Sequence, residues 1–280
     1  MQVNTKPAVG WIGLGDQGLP MAVAIAEAGY PLHVWARHPA SLDALGGTSH
    51  VRHGEVDDLA GACDIMGLCV STDDDVRRLV TGGLLDGARP GSVVVNHGTG
   101  TPGNAVRLTE ACAPFGVDVL DAPVSGGRPA AETKALTTLV GGPAAVAERC
   151  EPLFRSFSAH VLYLGAAGSG QAAKLFNNAL LMMNQASIAD IVELAASFGM
   201  LDPVTLVDAL KLGSASSAAL TLLNTMITPR TADHLAKVEA EDMRIFDRAM
   251  TERGVNADAA TARGLAGANG LPSLIRRLSP

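Results

Sequence analysis

Near the start of the chain, Val9-Gly10-Trp11-Ile12 runs into Gly13-Leu14-Gly15-Asp16-Gln17-Gly18, and Met21, Ala22, Ile25 and Ala26 then recur at helical spacing until Gly29. An apolar run, a glycine-rich turn and an amphipathic helix in that order bring a helix N-terminus against a phosphate. Gly13 permits the tight turn, Gly15 lets the phosphate approach the main chain, and Gly18 lets helix and strand pack closely. The free N–H groups and positive dipole end of the helix attract the negative charge. The stretch predicts the first strand–helix unit of a doubly wound sheet, with a dinucleotide pyrophosphate over Gly13, Leu14, Gly15, Asp16, Gln17 and Gly18.

Working outward, short apolar runs alternate with helical stretches as far as about residue 164, the pattern of parallel strands joined by crossover helices. The runs fall at 8–12, 32–36, 65–70, 93–96, 117–121, 138–140 and 161–164, several of them without polar alternation, as strands covered on both faces require. Gly165-Ala166-Ala167-Gly168-Ser169-Gly170 follows, with Ser169 placed to cap the next helix. From Gln171 to about Phe198 runs one long helical pattern, and the remainder carries helix signals (Pro203 opening one, Gly254 ending another) with no strand. The expected architecture is a Rossmann-type doubly wound α/β domain over residues 1–166, followed by an all-helical domain over 167–280.

Composition narrows the partners. The 280 residues are 48% hydrophobic and 18% charged with a net charge of -7, and no basic cluster offsets it, which excludes a surface that works by neutralising nucleic-acid phosphates. Cys63, Cys69, Cys112 and Cys150 form no C-x-x-C pair and have no histidine at zinc spacing, so reduced packed thiols and no metal are expected. The N-terminus lacks the apolar stretch of a secretory signal, and the most apolar segment, 179–196, is broken by Asn184, Gln185, Ser187, Asp190 and Glu193. These features predict a cytoplasmic protein, with no membrane partner, acting on a small molecule.

Four positions carry candidate chemistry. The second strand ends in Arg37-His38 where an NAD site would place an acid on the ribose 2′-OH; a guanidinium there suits a 2′-phosphate, which favours NADP(H) while leaving NAD(H) open. Asn96-His97-Gly98-Thr99-Gly100-Thr101-Pro102 follows a strand end, where its hydroxyls can line the nicotinamide ribose. Asp121-Ala122-Pro123-Val124-Ser125-Gly126-Gly127-Arg128 places a hydroxyl before two glycines, a nest suited to a carboxylate, with Arg128 as a second anchor for a larger or dianionic substrate. In Gly170-Gln171-Ala172-Ala173-Lys174-Leu175-Phe176-Asn177-Asn178, Lys174 and Asn178 share one helical face directed at the cleft between the domains. The helix dipole and partial burial both disfavour an ammonium at Lys174, so its pKa is expected to fall toward the range of a general acid/base. His97 is the one histidine at a strand end, and a polar loop position is its expected role.

Together, G-L-G-x-x-G at Gly13, D-A-P-V-S-G-G at Asp121, Gly141-Gly142, and G-x-x-x-K-x-x-N-N at Gly170 resemble the β-hydroxyacid dehydrogenases, a 6-phosphogluconate dehydrogenase-like family. The resemblance covers almost the whole chain in the right order. It implies reversible hydride transfer between NAD(P) and a short hydroxyacid, and a helical domain that carries a homodimer or homotetramer. It also implies Lys174 as general acid/base, Asn178 holding Lys174 or the substrate, Ser125, Gly126 and Gly127 on the carboxylate, and Thr99 near the nicotinamide. The chain departs from the family pattern at Lys134-Ala135 (usually Gly then Ser/Thr), Asn96-His97-Gly98-Thr99 (usually D-x-S-T), Asp190 (commonly Glu) and Glu241-Asp242 (usually K-D). Imine reductases resemble both domains but typically carry Asp or Tyr where Lys174 stands. A non-catalytic NADP-binding sensor is the reading that the altered motifs leave open.

Overall fold

A computed structural model of the chain describes residues 6–279. Its strands are β1 (Val9–Ile12), β2 (Leu32–Trp35), β3 (Val51–Arg52), β4 (Ile65–Leu68), β5 (Val93–Asn96), β6 (Asp118–Asp121), β7 (Val124–Ser125), β8 (Leu136–Gly141) and β9 (Ser158–Gly165). They form one sheet in the order β3-β2-β1-β4-β5-β6-β8-β7, with β9 on β8. β1 to β6 pair in parallel, and the direction reverses where β8 meets β6 through Asp121 and Gly141. All seven apolar runs of the sequence contain strands. β3 and β7 escape that reading because two residues make no run, and β3 is exposed as well.

The first helices are α1 (Gly18–Glu27), α2 (Val56–Ala62), α3 (Asp73–Leu79), α4 (Leu85–Gly87), α5 (Pro102–Cys112), α6 (Gly127–Glu132) and α7 (Ala144–Phe154). They cover both faces of the sheet, which is why its strands read as unbroken apolar runs. Val93 and Val95 pack with Trp11, Ile25, Leu120 and Phe157 on one side. Val94 packs with Met66, Leu68, Leu84 and Val119 on the other. The four cysteines are unpaired, and burial pushes the thiols of Cys63 and Cys150 up to about 12.

The chain divides into two compact units, one ending at Lys174 and the other beginning at Leu175. The division falls inside α8 (Ser169–Phe198), beyond the glycine-rich stretch before it, because the first turn of that helix is bonded to the sheet. Ser169 is the first helical residue and not a cap; the carboxylate of Asp121, at the end of β6, takes the N–H groups of Gly168 and Gln171 instead. In the second unit α8 continues beside α9 (Pro203–Leu212), α10 (Ala218–Leu222), α11 (Ala232–Glu252) and α12 (Asp258–Leu278). By length and composition alone, with a mean hydropathy of 1.3 along its most apolar stretch, α8 is long and apolar enough to cross a bilayer, a test that the core helix of a globular domain also passes. Its buried residues serve two apolar cores of the second unit, one around Val192, Leu223 and Ile275 and one around Leu175, Met182 and Met243.

Candidate active site

The glycine loop lies between β1 and α1. Gly13 has a φ of +106°, and a Cβ there would lie 2.1 Å from the Cys69 carbonyl oxygen; one at Gly18 would lie 2.1 Å from the Gly13 carbonyl oxygen, whereas Gly15 faces open space. The Trp11 indole N–H donates to the Gly13 carbonyl at 3.0 Å and fixes the start of the turn. Helices α3, α5 and α9 start with a side-chain oxygen on a backbone N–H, but α1 has neither such a cap nor an acidic residue in its first turn. Gln17 keeps a buried Oε1 without a partner. A closely pressed turn, an open glycine and uncapped N–H groups fit a dinucleotide pyrophosphate.

A cavity of about 460 Å³ opens beside this loop, lined among others by Gly13, Gly15, Ala36, Arg37, Val70 and Leu79. Among its lining residues there is no carboxylate, and Arg37 stands where the sequence places it. The Arg37 guanidinium reaches Asp75 of α3 at 3.3 Å, and the same carboxylate oxygen takes Arg78 at 3.0 Å. Two guanidinium groups therefore converge on one carboxylate, one of them from the lining of this cavity.

Farther along the same sheet edge, the segment after β5 is held from three directions. Asn96 Oδ1 accepts from Gly98 N at 3.0 Å, and Asp73 accepts from Thr101 N at 3.0 Å and from Asn104 Nδ2 at 2.9 Å. From α8, the Gln171 side chain accepts from Gly100 N at 2.8 Å and donates to the Gly98 carbonyl at 2.7 Å. Thr99 sits between the two clasped glycines. His97 is not a polar loop residue: it is 3% exposed and stacked on Trp11 at 5.3 Å, with Phe154 and Phe157 edge-on. Its Nδ1 faces the Ala122 carbonyl at 2.8 Å, and since a carbonyl only accepts, that nitrogen carries the hydrogen. Burial lowers the ring's pKa to about 4, so the imidazole is neutral, and its buried Nε2 has no partner.

Ser125 ends β7, and Gly126 and Gly127 follow with φ of +129° and +66°, values that glycine adopts freely. Arg128 is half exposed and donates to Glu132 at 2.7 Å, with Asp16 of the glycine loop at 3.9 Å. At Lys134, where the resemblance leads one to expect glycine, the φ of +57° is left-handed, and the ammonium is held by Glu27 at 2.9 Å.

Lys174, in the second turn of α8, is 9% exposed. It belongs to the sheet unit, together with the glycine loop, Arg37, Thr99 and residues 125–128, whereas Asn178 belongs to the helical unit. There Asn178 Nδ2 donates to Asp242 of α11 at 2.7 Å, and farther along the same two helices Gln185 donates to Glu239 at 3.0 Å. Glu241 turns to Arg244 at 2.8 Å.

Residues 8–165 match the family model described as the NAD binding domain of 6-phosphogluconate dehydrogenase, and residues 168–266 match that described as NAD-binding of NADP-dependent 3-hydroxyisobutyrate dehydrogenase. The chain belongs to the β-hydroxyacid dehydrogenase family. Like its relatives it is an NAD(P)-dependent oxidoreductase. One relative, "Probable 3-hydroxyisobutyrate dehydrogenase-like 2, mitochondrial" of Arabidopsis thaliana, is 31% identical over 98% of this chain and 95% of its own length. The 2-hydroxy-3-oxopropionate reductase of Escherichia coli is 33% identical over 80% of this chain and 76% of its own. The solved 3-hydroxyisobutyrate dehydrogenase of Mycobacterium tuberculosis with L-serine superposes with a TM-score of 0.85 over 99% of this chain and 100% of that one; at 22% identity it bears on the fold.

Three residues of the site carry structural roles that spacing along the chain does not reveal: Asp121 as the cap of α8, Gln171 as the clasp on the loop after β5, and Asp75 as the partner of Arg37. The signal that could have found the first two is their presence inside motifs that also contain Ser125 and Lys174. Asp75 gives no such signal in the acidic run Asp73-Asp74-Asp75.

Proposed function

We propose that the protein catalyses reversible hydride transfer between NADP(H) and a small β-hydroxyacid or its aldehyde or keto acid, with Lys174 as the general acid/base. The observation that carries this reading is the burial of Lys174. A lysine is almost never taken out of water unless its ammonium is paired or its amine is put to use, and this one is 9% exposed in the unit that bears the glycine loop, at the position where the family resemblance implies the acid/base. A lysine at 174, where imine reductases typically carry Asp or Tyr, favours carbonyl and alcohol chemistry over imine reduction, and Lys174, Asn178 and Ser125 together favour catalysis over a sensor.

The bound nicotinamide supplies the hydride and takes it back in the reverse direction. The chain's own residues supply orientation and the proton. The Ser125 hydroxyl and the backbone of Gly126 and Gly127 hold the substrate carboxylate, which fixes the carbonyl or carbinol carbon, and Arg128 is a second anchor for a dianionic substrate. In reduction the Lys174 ammonium donates its proton to the oxygen on which negative charge develops; in oxidation the neutral amine removes the hydroxyl proton. Asn178 keeps Lys174 or the substrate in line. The N–H groups of the glycine loop hold the pyrophosphate, Thr99 borders the nicotinamide side, and Arg37 binds the 2′-phosphate.

The helical unit carries self-association into a homodimer or homotetramer. In support, Leu180, Leu194 and Phe198 lie along α8 at 59%, 65% and 71% exposure, an apolar stripe that a second copy is suited to cover.

The test is turnover of 3-hydroxyisobutyrate, L-serine and 2-hydroxy-3-oxopropionate followed by NADPH absorbance, with NADH in parallel. Lys174→Ala is expected to lose about a thousandfold in kcat, within the range of a general acid/base, while NADPH affinity stays within threefold. Arg37→Asp moves the ratio of NADPH to NADH affinity toward NADH. Unchanged turnover in the first variant discards the mechanism, and an unmoved ratio in the second discards the cofactor preference.

A further inference from the structure

Gln171 joins three segments that are far apart in the chain. Its backbone N–H donates to Asp121 Oδ2 at 2.8 Å, and Asp121 Oδ1 takes Gly168 N at 2.8 Å, which anchors the start of α8 to the end of β6. Its carboxamide, 1% exposed, accepts from Gly100 N and donates to the Gly98 carbonyl, spanning Thr99 like a bracket. The orientation is unambiguous, since a flipped amide would set N–H against N–H and carbonyl against carbonyl.

The clasped loop has few means of its own to keep its place. Gly98 and Gly100 have no side chains to pack, and the loop is pressed against the segment after β4: a Cβ at Gly98 would lie 2.4 Å from the Val70 carbonyl oxygen, and one at Gly100 2.0 Å from Asp73 Oδ1. Asp73 holds it on that side through Thr101, and Gln171 on the other. One turn past Gln171 on the same helix comes Lys174, about 5–6 Å away between Cβ atoms. Whatever fixes Gln171 against the loop fixes the base of the lysine against Thr99.

We propose that Gln171 is a positioning residue, whose bracket on Gly98 and Gly100 sets the spacing between the Thr99 segment and the amine of Lys174. This rests on the reading of Lys174 as the acid/base and of Thr99 as a neighbour of the nicotinamide. The bracket is uncharged in a charged setting. Asp121 of β6 and Asp73 of α3 hold the adjoining backbone, Lys174 follows on α8, and His97 is engaged by Ala122 with its ring between aromatic side chains. A carboxamide clamps the loop without adding to the field at the lysine.

Two variants of the full-length protein test it. Gln171→Met keeps the length and removes both bonds. Gln171→Glu keeps an acceptor for Gly100 N but sets a carboxylate oxygen against the Gly98 carbonyl; in acid the protonated carboxyl restores the donor and copies the parent amide.

With whichever of the three substrates named above the parent turns over fastest, Gln171→Met is expected to lower kcat about ten- to a hundredfold, with KM and NADPH affinity within threefold. Without ligand, amide hydrogen exchange at residues 98–101 speeds up tenfold or more. For Gln171→Glu at pH 8 the kcat ratio to parent is lowered and the exchange ratio is raised, and both return toward one at pH 5; the exchange ratio is read without turnover, so a shift that the new carboxylate causes in Lys174 does not enter it. Exchange at 98–101 that matches the parent in both variants overturns the proposal, as does a fall in Tm with kcat within twofold of the parent. An absent acid rescue in Gln171→Glu overturns it even if Gln171→Met does not fold. Should Lys174→Ala retain turnover, the reading of Lys174 fails on that result alone, while the exchange data still decide whether Gln171 holds the loop.

Discussion

Asp121 in the sheet unit and Glu239 in the helical unit are both carboxyls withdrawn from water, at 1% and 8% exposure, and their surroundings give them opposite uses. Burial raises the pKa of each. Around Asp121 the backbone N–H groups of Gly168, Gln171 and Gly170 work against that rise, and both carboxylate oxygens are engaged. Glu239 has one counterweight, the Gln185 amide, and the nearby Asp242 carboxylate adds to the rise, so the group is pushed to about 7. Its Oε2 and Gln185 Oε1 are both buried without a partner. Burial thus fixes the direction of the shift, and the number of N–H donors decides what the carboxyl becomes. With several donors both oxygens are engaged as acceptors and hold the start of a helix; with one the group titrates near neutrality. A proton on Glu239 turns one orphaned acceptor into a donor, in a pair that holds a second orphaned acceptor.

Replacing Asp121 is the strongest way to break the comparison. Asp121→Asn removes the charge and turns an NH2 toward Gly168 N–H or Gln171 N–H, donor against donor, and hydrogen bonds to a charged group count for about 1.5–3 kcal/mol each. The expected loss is about 3 kcal/mol in the stability of the sheet unit, along with most of the turnover. Both tryptophans, Trp11 and Trp35, lie in that unit, so fluorescence during urea unfolding reads it selectively. A loss under about 1 kcal/mol would mean that Asp121 anchors nothing its neighbours do not already hold.

The second test is pH. Because the folded state raises the Glu239 pKa from 4.5 to about 7, the folded chain holds its proton where the unfolded chain has released it. Stability from this group therefore falls as pH climbs from about 4.5 to about 7 and is level above that. Glu239→Gln removes the slope. Against the parent, it is expected to be level near pH 4.5 and ahead by about 3 kcal/mol at pH 8, since each tenfold difference in proton affinity between the folded and unfolded chain is worth about 1.4 kcal/mol. Far-UV circular dichroism at matched pH values measures the difference, in which groups common to both proteins cancel. Parallel curves would show that Glu239 does not titrate between the folded and unfolded chain in this range, and the contrast would be gone.

These carboxyls also mark how far the amino-acid sequence can be read. The sheet was legible because strands covered on both faces leave long apolar runs, and the glycine loop because its turn tolerates few other residues. Asp121 and Gln171 stand inside legible motifs, but their tasks depend on partners about 50 and 70 residues away in the chain. Gln185 counts as a polar break in an apolar segment when read along the chain, yet it is 1% exposed, and Glu239 looks like one more solvated acid on an amphipathic helix. Periodicity tells which face of a helix is apolar. It does not tell which polar residue has been drawn into that face by a partner on another helix. His97 fails for a related reason: its ring is accepted by an aromatic cluster that Trp11 of β1 assembles with Phe154 and Phe157 from the end of α7 and the turn after it.

The smallest expected effect sharpens the comparison within two adjacent residues. Glu241 and Asp242, which the resemblance sets against a K-D pair, part company on α11. Asp242 takes the Asn178 amide at 2.7 Å, while Glu241 pairs with Arg244 one turn on, the two side chains 51% and 61% exposed. An exposed i,i+3 pair contributes a few tenths of a kcal/mol. Glu241→Lys is therefore expected to change stability by no more than about 0.5 kcal/mol and to leave the fold intact, which makes it a clean probe of the pocket. If this charge reversal is what sets the substrate range apart from the relatives, the variant lowers KM for at least one of the three acids severalfold without a comparable change in NADPH affinity. A stability loss above about 1 kcal/mol would show that Glu241 is built into α11 as firmly as Asp242. An unmoved KM for all three would place the origin of selectivity elsewhere, in the turn from Ser125 to Arg128.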